Sequence, residues 1–284
     1  MMKTIIFGSS GFVGSFLDEN SEYFKNELIF IDRKKCNLLN QRETSEYVSN
    51  LPNDKYNIII LSTIPKNKIT NFEEFKSNIL LINNILFSIK KLSVNSILFF
   101  SSIDVYGKNP TLPVNEKTEL CPDNYYAASK LINESSILNF KTDVPSVILR
   151  MPGIYGSPND NVSIIGRFTE AIKNNHKIQI NGTGAQLRDY IYIEDILKAI
   201  ELISNKPKSG IFNFVTGYSI SISSIINLIS SSIGIKPRII YNKKNSHNDD
   251  LIFNNNKFIS SYDFFKFTDI SNGIKNYLEK IKYG

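Results

Sequence analysis

Short, almost wholly apolar runs recur through the first hundred residues, at 3–7, 28–31, 56–61 and 96–100. Each is too short for a helix and lacks the polar alternation of a half-exposed strand, so all four are predicted as strands buried on both faces. The stretches between them follow another rhythm. Residues 43–49 have helical spacing and stop at Leu51-Pro52, and 71–91 place Phe72, Phe75, Ile79, Ile82, Leu86 and Ile89 on one broad face. Strand alternating with helix in this way is the pattern of a parallel, doubly wound sheet. Farther along, the periodicity predicts a helix at 195–204, a strand at 211–215, a helix at 219–233, a strand at 238–241 and an amphipathic closing helix at 269–282.

Composition leaves this picture intact and narrows the classes of partner. No run approaches the ~18 apolar residues of a membrane helix. The apolar part of the opening Met1-Met2-Lys3-Thr4-Ile5-Ile6-Phe7 is too short for a signal peptide. The net charge is +6, yet the basic residues are scattered, the densest runs being Arg33-Lys34-Lys35 and Lys243-Lys244. A nucleic-acid reader gathers such residues on one face, so attraction to a phosphorylated small molecule accounts for the balance as well. Cys36 and Cys121 form neither a disulfide framework nor metal-ligand spacing, and His176 and His247 stand outside any recognisable constellation. The expectation is a reduced, cytoplasmic protein without metal, membrane or nucleic-acid partner.

Three places carry candidate chemistry. The first strand runs into Gly8-Ser9-Ser10-Gly11-Phe12-Val13-Gly14, with helical spacing from Ser15 onward. Gly8 permits a tight turn, Gly11 lets backbone approach a pyrophosphate, and Gly14 lets the helix pack close on the strand. The helix N-terminus then offers N–H groups and partial positive charge to the phosphates. The second strand ends in Asp32, 18 residues past Gly14, near the ~20 expected for a carboxylate bonding an adenosine ribose. An acid there repels a 2′-phosphate and favours NAD, while Arg33, Lys34 and Lys35 leave NADP open. The third place is Asn124-Tyr125-Tyr126-Ala127-Ala128-Ser129-Lys130. Tyr126 and Lys130 are i,i+4 neighbours on a helix, and an ammonium within ~4–6 Å favours a phenolate. Bringing a tyrosine from pKa ~10 to about 7 takes roughly 4 kcal/mol, of which Lys130 supplies part. Tyr125 is the weaker base, since its own i+4 partner is the uncharged Ser129.

In register, Gly8-x-x-Gly11-x-x-Gly14, Asp32, Ser101-Ser102-Ile103-Asp104-Val105-Tyr106-Gly107 and Tyr126-x-x-x-Lys130 resemble the extended short-chain dehydrogenase/reductase family, in its NAD-dependent nucleotide-sugar epimerase/dehydratase branch. The likeness continues through Leu149-Arg150-Met151-Pro152-Gly153-Ile154-Tyr155-Gly156, Asn181-Gly182-Thr183-Gly184 and Arg188-Asp189-Tyr190. It implies an α/β fold, a Rossmann-type doubly wound parallel sheet with a smaller, non-contiguous α/β substrate domain. The dinucleotide-binding domain is expected at 1–152 plus about 187–216, and the substrate domain at about 153–186 and 217–284.

By this resemblance Ser102 hydrogen-bonds the reacting sugar oxygen, with Ser101 as the alternative. Tyr126 transfers the proton, and Lys130 lowers the Tyr126 pKa and holds the nicotinamide ribose. The cofactor, NAD with NADP possible, is expected at Gly8, Ser10, Gly11, Phe12 and Val13, then at Asp32, Arg33, Asn37 and Leu38. Leu61, Ser62, Thr63 and Met151 complete its site together with Tyr126 and Lys130. A nucleotide sugar is expected at Asp104, Gly153 and Arg188, the last pairing with a phosphate or else bridging to Asp189 or Glu194. A homodimer through 71–91 and 124–140 is implied as well.

Departures from the family pattern narrow the reaction. Sugar 4,6-dehydratases of this branch carry an Asp-Glu pair directly after the catalytic Ser or Thr, and Ile103 cannot protonate a leaving hydroxyl. Reductases that also epimerise C3 and C5 use a Cys in this loop, and 101–106 contain none. What remains is a 4-epimerase or a 4-ketosugar reductase. Gly153 stands where epimerases commonly have Asn, and His247-Asn248-Asp249-Asp250 where they have Arg, for which Lys243 or Lys244 is a possible replacement. Two other readings stay open: a non-catalytic NAD(P)-binding regulator, and a reductase of a non-nucleotide carbonyl substrate.

Overall fold

The four apolar runs are strands. In the computed structural model, which describes residues 2–141, 143–242 and 250–283, β1 spans Met2–Phe7, β2 Glu27–Ile31, β3 Lys55–Ile60 and β4 Ser93–Ser102. The pairs β1–β2, β1–β3 and β3–β4 are all parallel, with Ile5 opposite both Ile29 and Ile58. β5 (Ser146–Met151) follows. After β6 (Gly153–Tyr155), β7 (Lys177–Asn181), β8 (Leu187–Arg188) and β9 (Tyr190–Tyr192), β10 (Gly210–Asn213) completes a six-stranded sheet of order β10-β5-β4-β3-β1-β2. Ile5, Ile58, Ile60, Ile97 and Phe99 are fully buried, which explains the absence of polar alternation. β1 lies between β2 and β3, so the chain reverses its travel across the sheet there. Such a switch opens a crevice at the carboxyl ends of the strands.

Helices α1 (Phe12–Glu19), α2 (Gln41–Ser49), α3 (Phe72–Ile89) and α4 (Tyr125–Leu138) connect these strands. Asn40, Asn71 and Asn124 cap α2, α3 and α4, each side chain accepting from the N–H three residues on, which satisfies a donor the helix leaves unpaired. The buried face of α3 keeps Ile82, Leu86 and Ile89 of the expected one and departs from it toward the N-terminus. It runs through Asn78, Leu81, Ile82, Ile85, Leu86 and Ile89, while Phe72 and Phe87 are 54% and 58% exposed. Asn78 explains the departure: its carboxamide accepts from Ile64 N and donates to Ser129 Oγ, at 2.6 and 3.2 Å. Phe72 and Phe75 instead cluster with Tyr125.

The chain divides into two compact units. The first comprises Met1–Gly107, Leu120–Arg150 and Ala199–Phe212, the second Lys108–Glu119, Met151–Lys198 and Asn213–Gly284. Compared with the expected boundaries, 108–119 and 187–198 group with the second unit. The crossing at 107 is sharply defined. Gly107 has φ +72°, and a Cβ there would lie 1.9 Å from the Cys121 carbonyl oxygen, so only glycine fits where the chain leaves the first unit.

In the second unit β6 pairs with β9, β7 with β12 (Arg238–Asn242), and β8 with β11 (Ile220–Ser221). The remaining helices are α5 (Ile164–Lys173), α6 (Ile193–Asn205), which ends in the first unit, α7 (Ile222–Ile233), α8 (Asn256–Ser261) and α9 (Ile270–Tyr283). The start of the helix expected at 219–233 is strand β11, because Ser221 caps α7 through Ser224 N. Tyr155, Ile165, Ile172, Ile226 and Ile274 form part of this unit's core. Phe214, Phe258, Phe265 and Phe267 pack edge to face or tilted beside one another. Among the described residues no helix is long and apolar enough to cross a membrane.

Candidate active site

The glycine turn lies at the switch point. Gly8 has φ +95°, and a Cβ would meet Ser62 N at 2.6 Å. One at Gly14 would meet Gly8 O and Ser9 Cα, both at 2.5 Å, so α1 packs directly on the turn. Gly11 is different: the nearest atom to its Cβ position is Gly8 O at 3.4 Å. The chain itself therefore leaves room at Gly11. Gly11 is also the N-cap of α1, where no side chain caps the helix and no acid occupies the first turn. The N–H groups there are left for another acceptor. Ser10 is exposed and Phe12 and Val13 are half-buried beside them.

Asp32 follows β2. Its Oδ1 accepts from Lys35 N and Lys34 N, both at 2.9 Å, and these bonds, that of Lys35 first, hold the carboxyl below its ordinary range. Lys35 Nζ donates to Phe30 O at 2.9 Å, and Arg33 is exposed. Asn37 Oδ1 accepts from Leu39 N at 3.2 Å, and Leu38 is buried. After β3, Leu61 N donates to Phe7 O, Thr63 Oγ1 to Ile64 O, and Ser62 is buried with its Oγ unpartnered. An orphaned hydroxyl beside Gly8, open space at Gly11 and an uncapped helix are what a dinucleotide fills, and a carboxylate at Asp32 suits a ribose without 2′-phosphate. The residues present thus fit NAD. Met151 is buried at the end of β5.

Asn124 sets the second part of the site. By capping α4 it puts Tyr126 and Lys130 on the first two turns of one helical face. Ser102 ends β4, and the 3-10 turn Ile103–Tyr106 carries Asp104. The Ser102 side chain stands beside Tyr126 and favours its phenolate. Ser102 Oγ donates to Asp104 Oδ2 at 3.2 Å and accepts from Asp104 N at 3.1 Å, while Lys66 Nζ donates to Asp104 Oδ1 at 2.9 Å. Lys130, 3% exposed, donates from Nζ to Phe100 O at 2.6 Å and stands 4.8 and 5.6 Å from the Phe99 and Tyr126 ring centroids. Ser101, the alternative to Ser102, faces away and donates to Glu134 Oε1 at 2.5 Å.

The electrostatics differ from the expected effect of Lys130 on Tyr126. Burial, helped by the Asp104 charge, pushes the Tyr126 phenol above its ordinary range, against the effect of the Ser102 side chain. Burial also pulls Lys130 down to about 7, with Glu134 opposing. Desolvation favours the neutral form of each partner.

Asp104 lies with Ser102 and Tyr126 in the first unit, whereas Gly153 and Arg188 lie on β6 and β8 of the second. A Cβ at Gly153 would meet the Tyr190 ring at 3.0 Å, so an Asn there would displace that ring. Arg188 Nη1 donates to Leu187 O at 2.8 Å. Asp189 and Glu194, its alternative partners, accept from the 216–217 turn and from Lys280 Nζ. His176 is exposed; Lys243, Lys244, His247, Asn248 and Asp249 lie outside the described residues. Sequence reasoning gave no role to Lys66, Glu134 or Arg150. For Glu134 a signal existed, since it stands four residues past Lys130 and eight past Tyr126 on the same helical face.

Residues 4–214 match the model of the NAD dependent epimerase/dehydratase family. A Methanocaldococcus jannaschii protein assigned as a UDP-glucose 4-epimerase is 30% identical over 72% of this chain and 69% of its own. The dTDP-D-glucose 4,6-dehydratase of Dictyostelium discoideum is 29% identical over 78% of this chain and 60% of its own length. Among solved structures, the UDP-glucose 4-epimerase of Thermotoga maritima, crystallised with UDP-glucose, superposes with a TM-score of 0.86 at 20% identity, covering 100% of this chain and 99% of that one. The chain is therefore an NAD-dependent enzyme and belongs to the epimerase/dehydratase family.

Proposed function

We propose that the enzyme acts at C4 of a nucleotide-activated sugar, as a 4-epimerase or a 4-ketosugar reductase, by hydride transfer assisted by Tyr126. The observation that carries this reading is that Ser102, at the end of β4, neighbours Tyr126 while the buried Lys130 amine stands 5.6 Å from the Tyr126 ring centroid, in the same unit as the glycine turn and Asp32. NAD, when bound, supplies the hydride acceptor or donor and a positive ring that favours phenolate. Ser102 Oγ orients the sugar oxygen, and Tyr126 gives or takes the proton on that same oxygen, within ~3 Å. Ile103 in place of an acid argues against dehydration, despite the dehydratases among the relatives. The relatives are enzymes, which does not favour a regulatory role.

On this reading the first unit takes the dinucleotide at the residues named above, and Asp104, Gly153 and Arg188 serve the sugar nucleotide. Phe72, Leu80, Phe87, Tyr125 and Ile132, exposed on α3 and α4, support a homodimer through those helices, and the free thiols Cys36 and Cys121 suit the cytoplasm. Incubation with UDP-, dTDP-, GDP- and CDP-hexoses and their 4-keto forms, with and without added NAD(H), tests the assignment. Turnover of one of them is expected, and no turnover of any would remove it. NAD(H) released on denaturing the purified protein would identify an epimerase, and an empty site a reductase.

A further inference from the structure

Two charged side chains that no reaction step uses are among the deepest in the first unit. Glu134 and Arg150 are each 1% exposed, and a buried ion pair is a poor source of stability compared with apolar side chains of like volume. Their contacts show what they hold. Glu134 Oε2 accepts from Arg150 Nη2 at 2.7 Å, and Oε1 from Arg150 Nε at 3.1 Å and Ser101 Oγ at 2.5 Å. Arg150 Nη1 donates to the Tyr106 hydroxyl at 2.9 Å, and its guanidinium stands 4.9 Å from the centre of that ring. Ser101 directly precedes Ser102, and Tyr106 ends the turn that carries Asp104. One ion pair thus grips both ends of the loop that presents Ser102.

Glu134 comes from the other side of the corner. It lies on α4 two turns beyond Tyr126 and one beyond Lys130. We propose that Glu134 and Arg150 are positioning residues of the reaction: the pair fixes the Ser102 loop against the α4 face bearing Tyr126 and Lys130, and sets a carboxylate one turn from the Lys130 amine. The proposal rests on the reading of Ser102, Tyr126 and Lys130 as the reacting groups. Its physical basis is that Ser102 and Tyr126 stand on two separate elements, a strand end and a helix start, whose spacing nothing in the local sequence fixes. A planar guanidinium bonded to both oxygens of a carboxylate restricts that spacing more than apolar packing does. Glu134 also opposes the downward pull of burial on Lys130. The charged and titratable side chains gathered at this corner are Tyr126, Lys130 and Glu134 on α4, Arg150 on β5, Asp104 and Tyr106 on the loop, and Lys66, paired with Asp104.

The test is the double variant Glu134→Leu/Arg150→Met, which keeps volume and removes both charges together. Three readouts are taken: thermal midpoint, kcat and KM, and the titration of Lys130 followed by NMR in lysine-labelled protein, assigned by comparison with Lys130→Met. The expected result is a midpoint close to wild type, kcat lower on the order of 10²-fold with KM little changed, and a Lys130 titration displaced to lower pH. Wild-type kcat with an unmoved Lys130 titration in a stable double variant would overturn the proposal. Should the double variant not fold, Arg150→Lys keeps the charge but gives up the two-point geometry; loss of kcat at unchanged midpoint supports the proposal, and full kcat overturns it. The Lys130 titration needs no substrate, so it decides the proposal even if the assignment to nucleotide sugars fails.

Discussion

The glycine turn and the corner between β4 and α4 lie in the same unit but are made of different materials. At the turn, the groups left for a ligand are backbone N–H donors at an uncapped helix, and the sequence contributes mainly the absence of side chains at Gly8, Gly11 and Gly14. At the corner the groups are hydroxyl, phenol and amine, and a buried ion pair ties their supports together. Backbone donors hold a phosphate at any pH and do not titrate. The corner gives up that constancy, since its groups change charge with their surroundings, and gains the ability to move a proton.

Four substitutions sharpen or break this contrast. The largest effect is expected at the corner: Tyr126→Phe should lower kcat by about 10²- to 10⁴-fold with NAD affinity unchanged by calorimetry, and retained activity would place the proton transfer elsewhere. Next comes the one side chain that matters at the backbone-built end. Asp32→Asn removes a charged acceptor worth about 1.5–3 kcal/mol, so NAD should bind roughly 10- to 100-fold more weakly and the preference over NADP should shrink; unaltered affinities for both would remove Asp32 from the site. Gly14→Ala puts a methyl 2.5 Å from Gly8 O and Ser9 Cα, with an expected loss of about 1–3 kcal/mol in urea unfolding and weaker NAD binding. A neutral result would mean that α1 can step back from the turn.

The fourth substitution concerns titration of the NAD-free protein. Lys130 has a folded-state pKa of about 7 against an ordinary 10.5. Between those values the unfolded chain holds a proton that the folded chain has released. Its contribution to stability therefore rises with pH across this window and is lost as pH falls toward 7, with a slope of at most about 1.4 kcal/mol per pH unit. Lys130→Met should flatten the rise in thermal midpoint between pH 7 and 10 relative to wild type, and an unchanged profile would show that the amine stays charged.

The same contrast governs what could be read beforehand. The strands and most helices were legible because a parallel sheet buries both faces and leaves runs such as Tyr56-Asn57-Ile58-Ile59-Ile60 with little else to do. The glycine turn and Asp32 were legible because their demands fall on consecutive residues and a fixed spacing. Tyr126 and Lys130 shared a helical face, which one dimension records. The N-terminal part of the α3 face was misjudged because Asn78, a polar residue, begins its buried stripe. The grip of Arg150 on Tyr106 joins residues distant in sequence, and no periodicity marks such a pairing. The charge states could not be read there for a related reason, since the sequence shows who neighbours Tyr126 but not how burial and the Asp104 charge act on its phenol.

The stretch between Gly107 and Leu120 leaves one unit and comes back at almost the place it left, with Gly107 pressed against Cys121 and Cys121 N bonded to Val105 O. Although its two feet stand together, the excursion is no loose loop: Val114 is fully buried and bonded through its backbone to Ile252 and Asn254, and Glu116 accepts from Asn213 N, so a segment exchanged between the feet would have to restore those bonds.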